Sequence, residues 1–233
     1  IRNILTNQEV FAVLKILLES RSLSKQELYP ILEKLIDCCI PRENKKMVTD
    51  LIGNEKLHYV EPKHKMVLLD RMWDLAHAVK EQLIIDVTYK ANYGANLVVR
   101  RLKPVGIMFS EFYFYLTAFI VKEGEEQDNL CPTIYRIDRI VDLTISNEHF
   151  RVPYAERFEE GEFRKRIQFM QGGKLEKIKF YFNGPSIEAI LDRLPTAKIL
   201  QHDDKGYLVQ AEAFGKGAEM WIRTQGDWVE MVE

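Results

Sequence analysis

From Phe112 to Val121 the chain reads FYFYLTAFIV, an apolar run with period two. Phe112, Phe114, Leu116, Ala118 and Ile120 fall on one face of the extended backbone, and Tyr113, Tyr115 and Thr117 on the other. That alternation excludes a helix and requires a strand with a tyrosine-bearing face. It resumes in TIYRIDRIVDLTI, residues 133–145, where Arg136, Asp138 and Arg139 interrupt it. Arginine is costly near a core without a partner. Its planar fork suits a carboxylate, a phosphate or a stacked ring. An arginine-bearing strand beside a tyrosine-bearing one therefore reads as a binding wall as well as a packing surface.

The first 67 residues have the 3.6-residue period of helices. Thr6-Asn7-Gln8-Glu9 is a capping box followed by Phe11, Leu14, Leu17 and Leu18. Ser24-Lys25-Gln26-Glu27 is a second, followed by Leu28, Ile31, Leu32 and Leu35, and Pro41 closes that helix. A third helix is expected from Asn44 to Ile52, ending near Gly53, with a polar linker over His58 to Lys65. The first two helices also suit a helix-turn-helix, with Ser24, Lys25 and Gln26 facing bases. Glu27, Glu33 and Asp37 would repel phosphate, so a helical connector is preferred.

A helix from Leu69 to Gln82 leads into strands at Ile84–Lys90, Leu97–Leu102, Phe112–Val121 and Ile134–Ile145. Asn92-Tyr93-Gly94-Ala95-Asn96 has hairpin-turn composition. Close-set short strands behind a helix predict a small antiparallel barrel. Arg151–Arg166 is a charge-mixed connector. Beyond it a strand at Lys177–Phe182, a helix bearing Ile187, Ile190, Leu191 and Leu194, a hairpin over Ile199–Ala213, a helix at Ala218–Thr224 and a strand at Asp227–Val232 follow one another. This β-α-β-β-α-β order is the ferredoxin-like pattern. The fold class is α+β, with a helical segment at 1–67, a barrel at 68–155 and a ferredoxin-like domain at 165–233.

Four blocks carry a family resemblance. Phe114-Tyr115-Leu116 stands where the WYL domain has Trp-Tyr-Leu, and Tyr135-Arg136-Ile137-Asp138-Arg139-Ile140 is similar to its second block. Ile85-Asp86-Val87-Thr88-Tyr89-Lys90 resembles its opening strand, and Arg100-Arg101-Leu102-Lys103-Pro104 the strand that ends at its proline. Phe114 departs from the family tryptophan and lacks the indole N–H donor. The resemblance to WYL-domain, DeoR-like bacterial transcriptional regulators implies an Sm-like, SH3-type barrel that senses an effector, followed by a C-terminal extension domain. It also implies a homodimer acting on operator DNA through a winged helix. That winged helix would lie upstream of Ile1, and an opening at Ile rather than Met points to a piece of a longer protein.

Several function classes have no support. A net charge of −2 over 233 residues supplies no global positive field for duplex DNA. A local patch exists, since Val87 to Ser110 holds Lys90, Arg100, Arg101 and Lys103 with no acidic residue. Its bland alternative is a charged, solvated strand. Cys38, Cys39 and Cys131 form no disulfide framework and fit a reducing cytosol. No apolar run reaches the ~18 residues of a membrane span. His58, His64, His77, His149 and His202 have no metal-ligand spacing, so each reads as an isolated histidine. Glycine-rich and serine contexts lack phosphate-loop or nucleophile signatures. Neither catalysis, cofactor nor metal is expected.

What remains is a candidate site of Tyr89, Arg100, Arg101, Phe114, Tyr115, Arg136 and Arg139. Arg136 and Arg139 would supply forked donors, and Tyr89 and Tyr115 a stacking wall, for an anionic small molecule or a single-stranded nucleic acid. In the plainer alternative Arg139 pairs with Asp138, Asp142 or Asp86 and pins the sheet. A barrel that is itself a single-strand binder, or a protein-only adaptor, are the competing functions.

Overall fold

The computed structural model describes residues 5–91, 96–121, 131–152 and 157–232. The expected turn at Asn92–Asn96 and the acidic loop at Glu123–Glu126 fall wholly or largely outside them. Three helices open the chain: α1 (Asn7–Ser20), α2 (Lys25–Cys39) and α3 (Arg42–Leu57). Thr6 and Glu9 form the capping box of α1. Val10, Leu14, Leu28, Leu32, Val48 and Ile52 interlock in a shared helical core. Burial of each such side chain contributes about 1.5–3 kcal/mol.

Three expectations are corrected in this unit. Ser24 makes no capping bond to the backbone of α2; its Oγ donates instead to Glu27 Oε2 at 3.1 Å. Helix α3 runs through Gly53, because Val48 and Ile52 anchor it and Lys56 pairs with Glu33 at 2.9 Å a turn later. A single exposed glycine costs only about 1 kcal/mol against alanine, too little to end a helix held at both sides. The segment at 58–65 is no free linker. Tyr59 is buried and its hydroxyl donates to Leu23 O at 2.7 Å, while Arg21 Nε donates to Val60 O.

Helix α4 (Leu69–Lys80) leads into β1 (Leu83–Lys90), β2 (Leu97–Ser110), β3 (Tyr113–Ile120), β4 (Thr133–Arg136) and β5 (Ile140–His149). They form one antiparallel sheet in the order β4-β3-β2-β1-β5. The closed barrel is not formed among the described residues: β4 and β5 are the two edges and do not pair. Strand β2 outruns its expected end at Leu102, because a bulge between Pro104 and Gly106 accommodates the proline that cannot donate to the ladder. The stretch at 133–145 is not one strand either. Ile137–Arg139 is a single 3-10 turn with Ile137 fully buried, and there the chain passes from one edge of the sheet to the other. Phe112 lies in the tight turn between β2 and β3 rather than in the strand.

Leu75, Ile85, Leu102, Leu116 and Ile137 fill the core under one face of this sheet. The opposite face is covered too, in part by α5 (Glu160–Arg166), which lies within the expected connector and packs Phe163 beside Met108, Ile167 and Met170. Glu160 fastens it at the bulge. Its Oε1 accepts the Ile107 N–H at 2.8 Å, and a Cβ at position 106 would stand 2.2 Å from that oxygen, so Gly106 makes the approach possible.

The last part of the chain contains β6 (Leu175–Phe182), α6 (Ile187–Arg193), β7 (Lys198–Asp203), β8 (Gly206–Phe214), α7 (Gly217–Arg223) and β9 (Val229–Val232). Its sheet has the order β7-β8-β6-β9 with antiparallel neighbours. Phe180, Phe182, Ile190, Val209 and Ile222 form its core.

Candidate ligand site at the aromatic edge of the sheet

Tyr115 on β3 stands opposite Arg136 on the edge strand β4. Arg136 cannot turn to solvent. Its Nε and Nη2 donate to the two carboxylate oxygens of Asp138 at 3.0 and 2.7 Å, and its guanidinium lies 3.4 Å from the centre of the Tyr113 ring. The two side chains are only 19% and 5% exposed. The i, i+2 spacing works because the 3-10 turn folds Asp138 back towards the strand. Tyr89 supports the same corner from β1: its hydroxyl accepts the Arg136 amide at 3.3 Å, and its ring meets Tyr135 edge-to-face at 5.1 Å.

Arg139 behaves differently. It forms no ion pair among the described residues, and Asp138 is taken by Arg136. The alternative in which Arg139 pins the sheet through Asp138 is thus replaced by an Arg136–Asp138 pin. Arg139 lies close enough to act electrostatically on the Tyr115 hydroxyl. Burial pushes that hydroxyl above the ordinary tyrosine value, while Arg136 and Arg139 pull it down. It is a protonated donor at neutral pH.

The remaining candidates lie elsewhere. Arg101 pairs with Glu148 on β5 and faces Asp86 across the ladder. It precedes Met108, the partner of Tyr115, by seven positions on β2, about 23 Å at strand rise. Arg100 projects to the opposite face, near the buried Tyr135 hydroxyl, which burial raises and Arg100 lowers. Phe114 packs against both the helical core and the sheet core, with Phe109 at 5.2 Å, and serves as filling at their joint. A cleft lined by Val79, Pro104, Val105, Phe150, Arg157 and Phe158 opens at the β2 bulge, and neither Arg136 nor Arg139 lines it.

One residue escaped sequence reasoning. His64 lies beside Tyr113, ring centres 6.2 Å apart, and its Nδ1 accepts the Met66 N–H at 2.9 Å. Its Nε2 is buried and finds no partner among the described residues. Burial holds its pKa below the ordinary histidine value, with Asp138 opposing. No local signal marked it, since its neighbours come from β3 and the 3-10 turn.

Residues 71–145 match the family model of the WYL domain. The chain carries a WYL domain. The match runs from α4 into β5 and so contains Tyr89, Arg100, Arg101, Phe114, Tyr115, Arg136 and Arg139, while His64 precedes it. The solved structures that resemble the chain include the following two. Proteasome accessory factor B/C (PafBC) of Arthrobacter aurescens shares 12% identity over 96% of this chain with a TM-score of 0.37. A CRISPR Cas-related protein shares 17% identity over 100% of this chain and 70% of its own, with a TM-score of 0.46. The chain spans only 31% of the PafBC chain. No curated protein matches it.

The WYL domain is gripped at its β2–β3 turn from both sides. Arg21, at the end of α1, places its guanidinium 5.1 Å from the Phe112 ring, and Arg193, at the end of α6, pairs with Glu111 at 3.0 Å. Among the described residues no cluster of His, Cys, Asp or Glu could hold a metal ion, and no helix is long and apolar enough to cross a membrane.

Proposed function

We propose that this chain is the effector-sensing regulatory portion of a bacterial, DeoR-like transcription factor, and that its WYL domain binds an anion at the corner of Arg139, Tyr115 and Tyr113. The observation that carries this reading is the division of labour between two arginines. Arg136 is neutralised by Asp138 and holds the corner rigid, whereas Arg139, beside a protonated Tyr115, keeps its charge for something else. The paired state of Arg101 and its distance weigh against a strand lying along the whole sheet, and so favour a small anion over a single-stranded nucleic acid.

On this reading the five-stranded sheet is an Sm-like half-closed barrel and the C-terminal sheet a ferredoxin-like domain, the β7-β8-β6-β9 order being the support for the latter. The units divide near residues 67 and 155–165. The protein binds rather than catalyses, and works in the cytoplasm as a homodimer on operator DNA through an upstream winged helix. Ligand at the corner shifts the population of protomer arrangements and resets the spacing of the DNA-binding elements.

Native mass spectrometry of freshly purified protein should show a bound anion that Arg139→Ala sheds. Loss of the guanidinium should weaken the complex about tenfold, one charge-assisted hydrogen bond's worth. Stability should stay within about 0.5 kcal/mol of the parent, as for a half-buried side chain with no ion pair among the described residues. An Arg139→Ala protein that keeps the anion but melts early would return Arg139 to a purely architectural role.

A further inference from the structure

We infer that the free edge of β7 pairs with the same edge of a second copy of this chain, antiparallel about a two-fold axis between Leu200 and Gln201. The inference deepens the homodimer proposed above by giving it a surface, and it does not depend on the anion site.

Strand β7, Lys198-Ile199-Leu200-Gln201-His202-Asp203, is an outer strand of the C-terminal sheet, and among the described residues no strand pairs with its other side. Lys198 to His202 are all exposed. Ile190 of α6 and Ile222 of α7 pack with Phe180 and Val209 at the centre of the sheet, which leaves Ile199 43% and Leu200 49% exposed at its rim. Edge strands are commonly blunted by proline or by a covering element, and β7 contains no proline. An uncovered edge with apolar side chains is a template for another strand.

The bulge in β7 selects which strand fits. Ile199 pairs with Val209 and His202 with Tyr207, so two positions three apart on β7 face two positions only two apart on β8, and Leu200 is the extra residue. Asp203 and Gly206 close a two-residue turn, the place of a hydrogen-bonded pair, so the next pair, His202 and Tyr207, is a non-hydrogen-bonded one. Their rings stack 4.0 Å apart, as suits the closer approach of such a pair. The backbone groups of His202 therefore point away from β8, and those of Ile199, at the same phase of the ladder, do so too. A regular strand offers its groups every two residues and falls out of step with this edge. A second copy offers the same three-residue interval and matches it.

The side chains agree with that register. The two-fold axis puts Lys198 of one copy opposite Asp203 of the other, Ile199 opposite His202, and Leu200 opposite Gln201. Lys198 and Asp203 pair with Gln210 and Gly206 on β8, an even number of residues apart, so both stand on the same face and the opposite charges meet twice across the axis. Opposite charges facing each other across strands stabilise a pairing, and like charges weaken it. An interface of six residues a side is small, and a micromolar dissociation constant is expected.

Sedimentation equilibrium of the full chain over about 1–100 µM tests this. The parent should dimerise in that range. K198D sets acid against acid and D203K base against base, and each should weaken the dimer at least about tenfold. Mixed in equal amounts, the two variants should associate about as tightly as the parent, because every new charge then faces its opposite. H202P removes an outward N–H and spares the ladder to β8, so it should weaken the dimer with no change of the paired charges. Melting temperatures near the parent's show that each variant folds. A parent that stays monomeric overturns both the inference and the homodimer. A dimer indifferent to K198D, D203K and H202P keeps the homodimer and removes β7 from it. Weakening in both charge variants with no recovery on mixing overturns the register.

Discussion

Arg136→Ala should destabilise the protein by about 2–4 kcal/mol, because it strands a buried carboxylate. Asp138 is 5% exposed and receives two hydrogen bonds from Arg136. Removing the guanidinium leaves that charge without a partner and uncovers the Tyr113 face, on which the cation rests at 3.4 Å. The 19% exposure of Arg136 lets water relieve part of the cost, which keeps the figure below that of a fully buried pair. Removing both charges should cost less than the two single changes together. The double variant Arg136→Ala/Asp138→Ala should recover at least about 1 kcal/mol against additivity. Urea denaturation of the four proteins reads this directly. Additive losses, or an Arg136→Ala protein as stable as the parent, would mean that the pair contributes nothing and that Arg136 is available to a ligand.

Glu27→Ala should cost a similar amount by a different route. Glu27 Oε1 accepts the Leu68 and Leu69 amides at 2.6 and 2.8 Å, so a side chain of α2 caps the first turn of α4. Its removal leaves two backbone donors unmatched, at about 1–3 kcal/mol each in a buried setting. It also takes a negative charge from the positive end of a helix, worth about 0.3–1 kcal/mol. Water entering the gap returns part of this, and a net loss of about 2–4 kcal/mol is expected. Glu27→Gln keeps an acceptor oxygen and should lose about 1 kcal/mol, mostly the charge. Hydrogen exchange supplies the local readout. The Leu68 and Leu69 amides should lose protection in Glu27→Ala while the Leu116 amide keeps its own. Unchanged protection at 68 and 69 would show that the cap is dispensable.

These two carboxylates show where the sequence was legible. Thr6 and Glu9 form the capping box that their spacing announces, since nothing distant competes for either. Ser24 and Glu27 have the same spacing, yet Glu27 is claimed by amides about forty residues on, which no local pattern records. The alternation of β3 put Leu116 and Ala118 on one face and Tyr115 on the other; the first face is the core, and the register sets Tyr115 opposite Arg136. Reading the same alternation through 133–145 concealed the 3-10 turn, because Ile137, its first residue, and Ile140, just after it, are both buried and look like strand positions. That turn also decides which arginine Asp138 meets. Adjacency favoured Arg139, but the fold-back selects Arg136. Arg100 and Arg101 were grouped as neighbours in sequence, and period two sends them to opposite faces.

The open sheet bears on how the chain reaches this state. Strands β1 to β3 each pair with the next in sequence, so β1 to β4 can zip from hairpin to hairpin. Strand β5 has no such neighbour. Ile85 meets Ile145 across the whole of β2, β3 and β4, and the entropy of that closure must be overcome before the pairing returns anything. The outer edge of β1 is therefore the last to be covered. Until β5 arrives, its ladder from Leu83 to Tyr89 is an unpaired template carrying Ile85 and Val87. Slow folding and pairing between copies of this chain compete at that edge, and the 3-10 turn that delivers β5 sets which one wins.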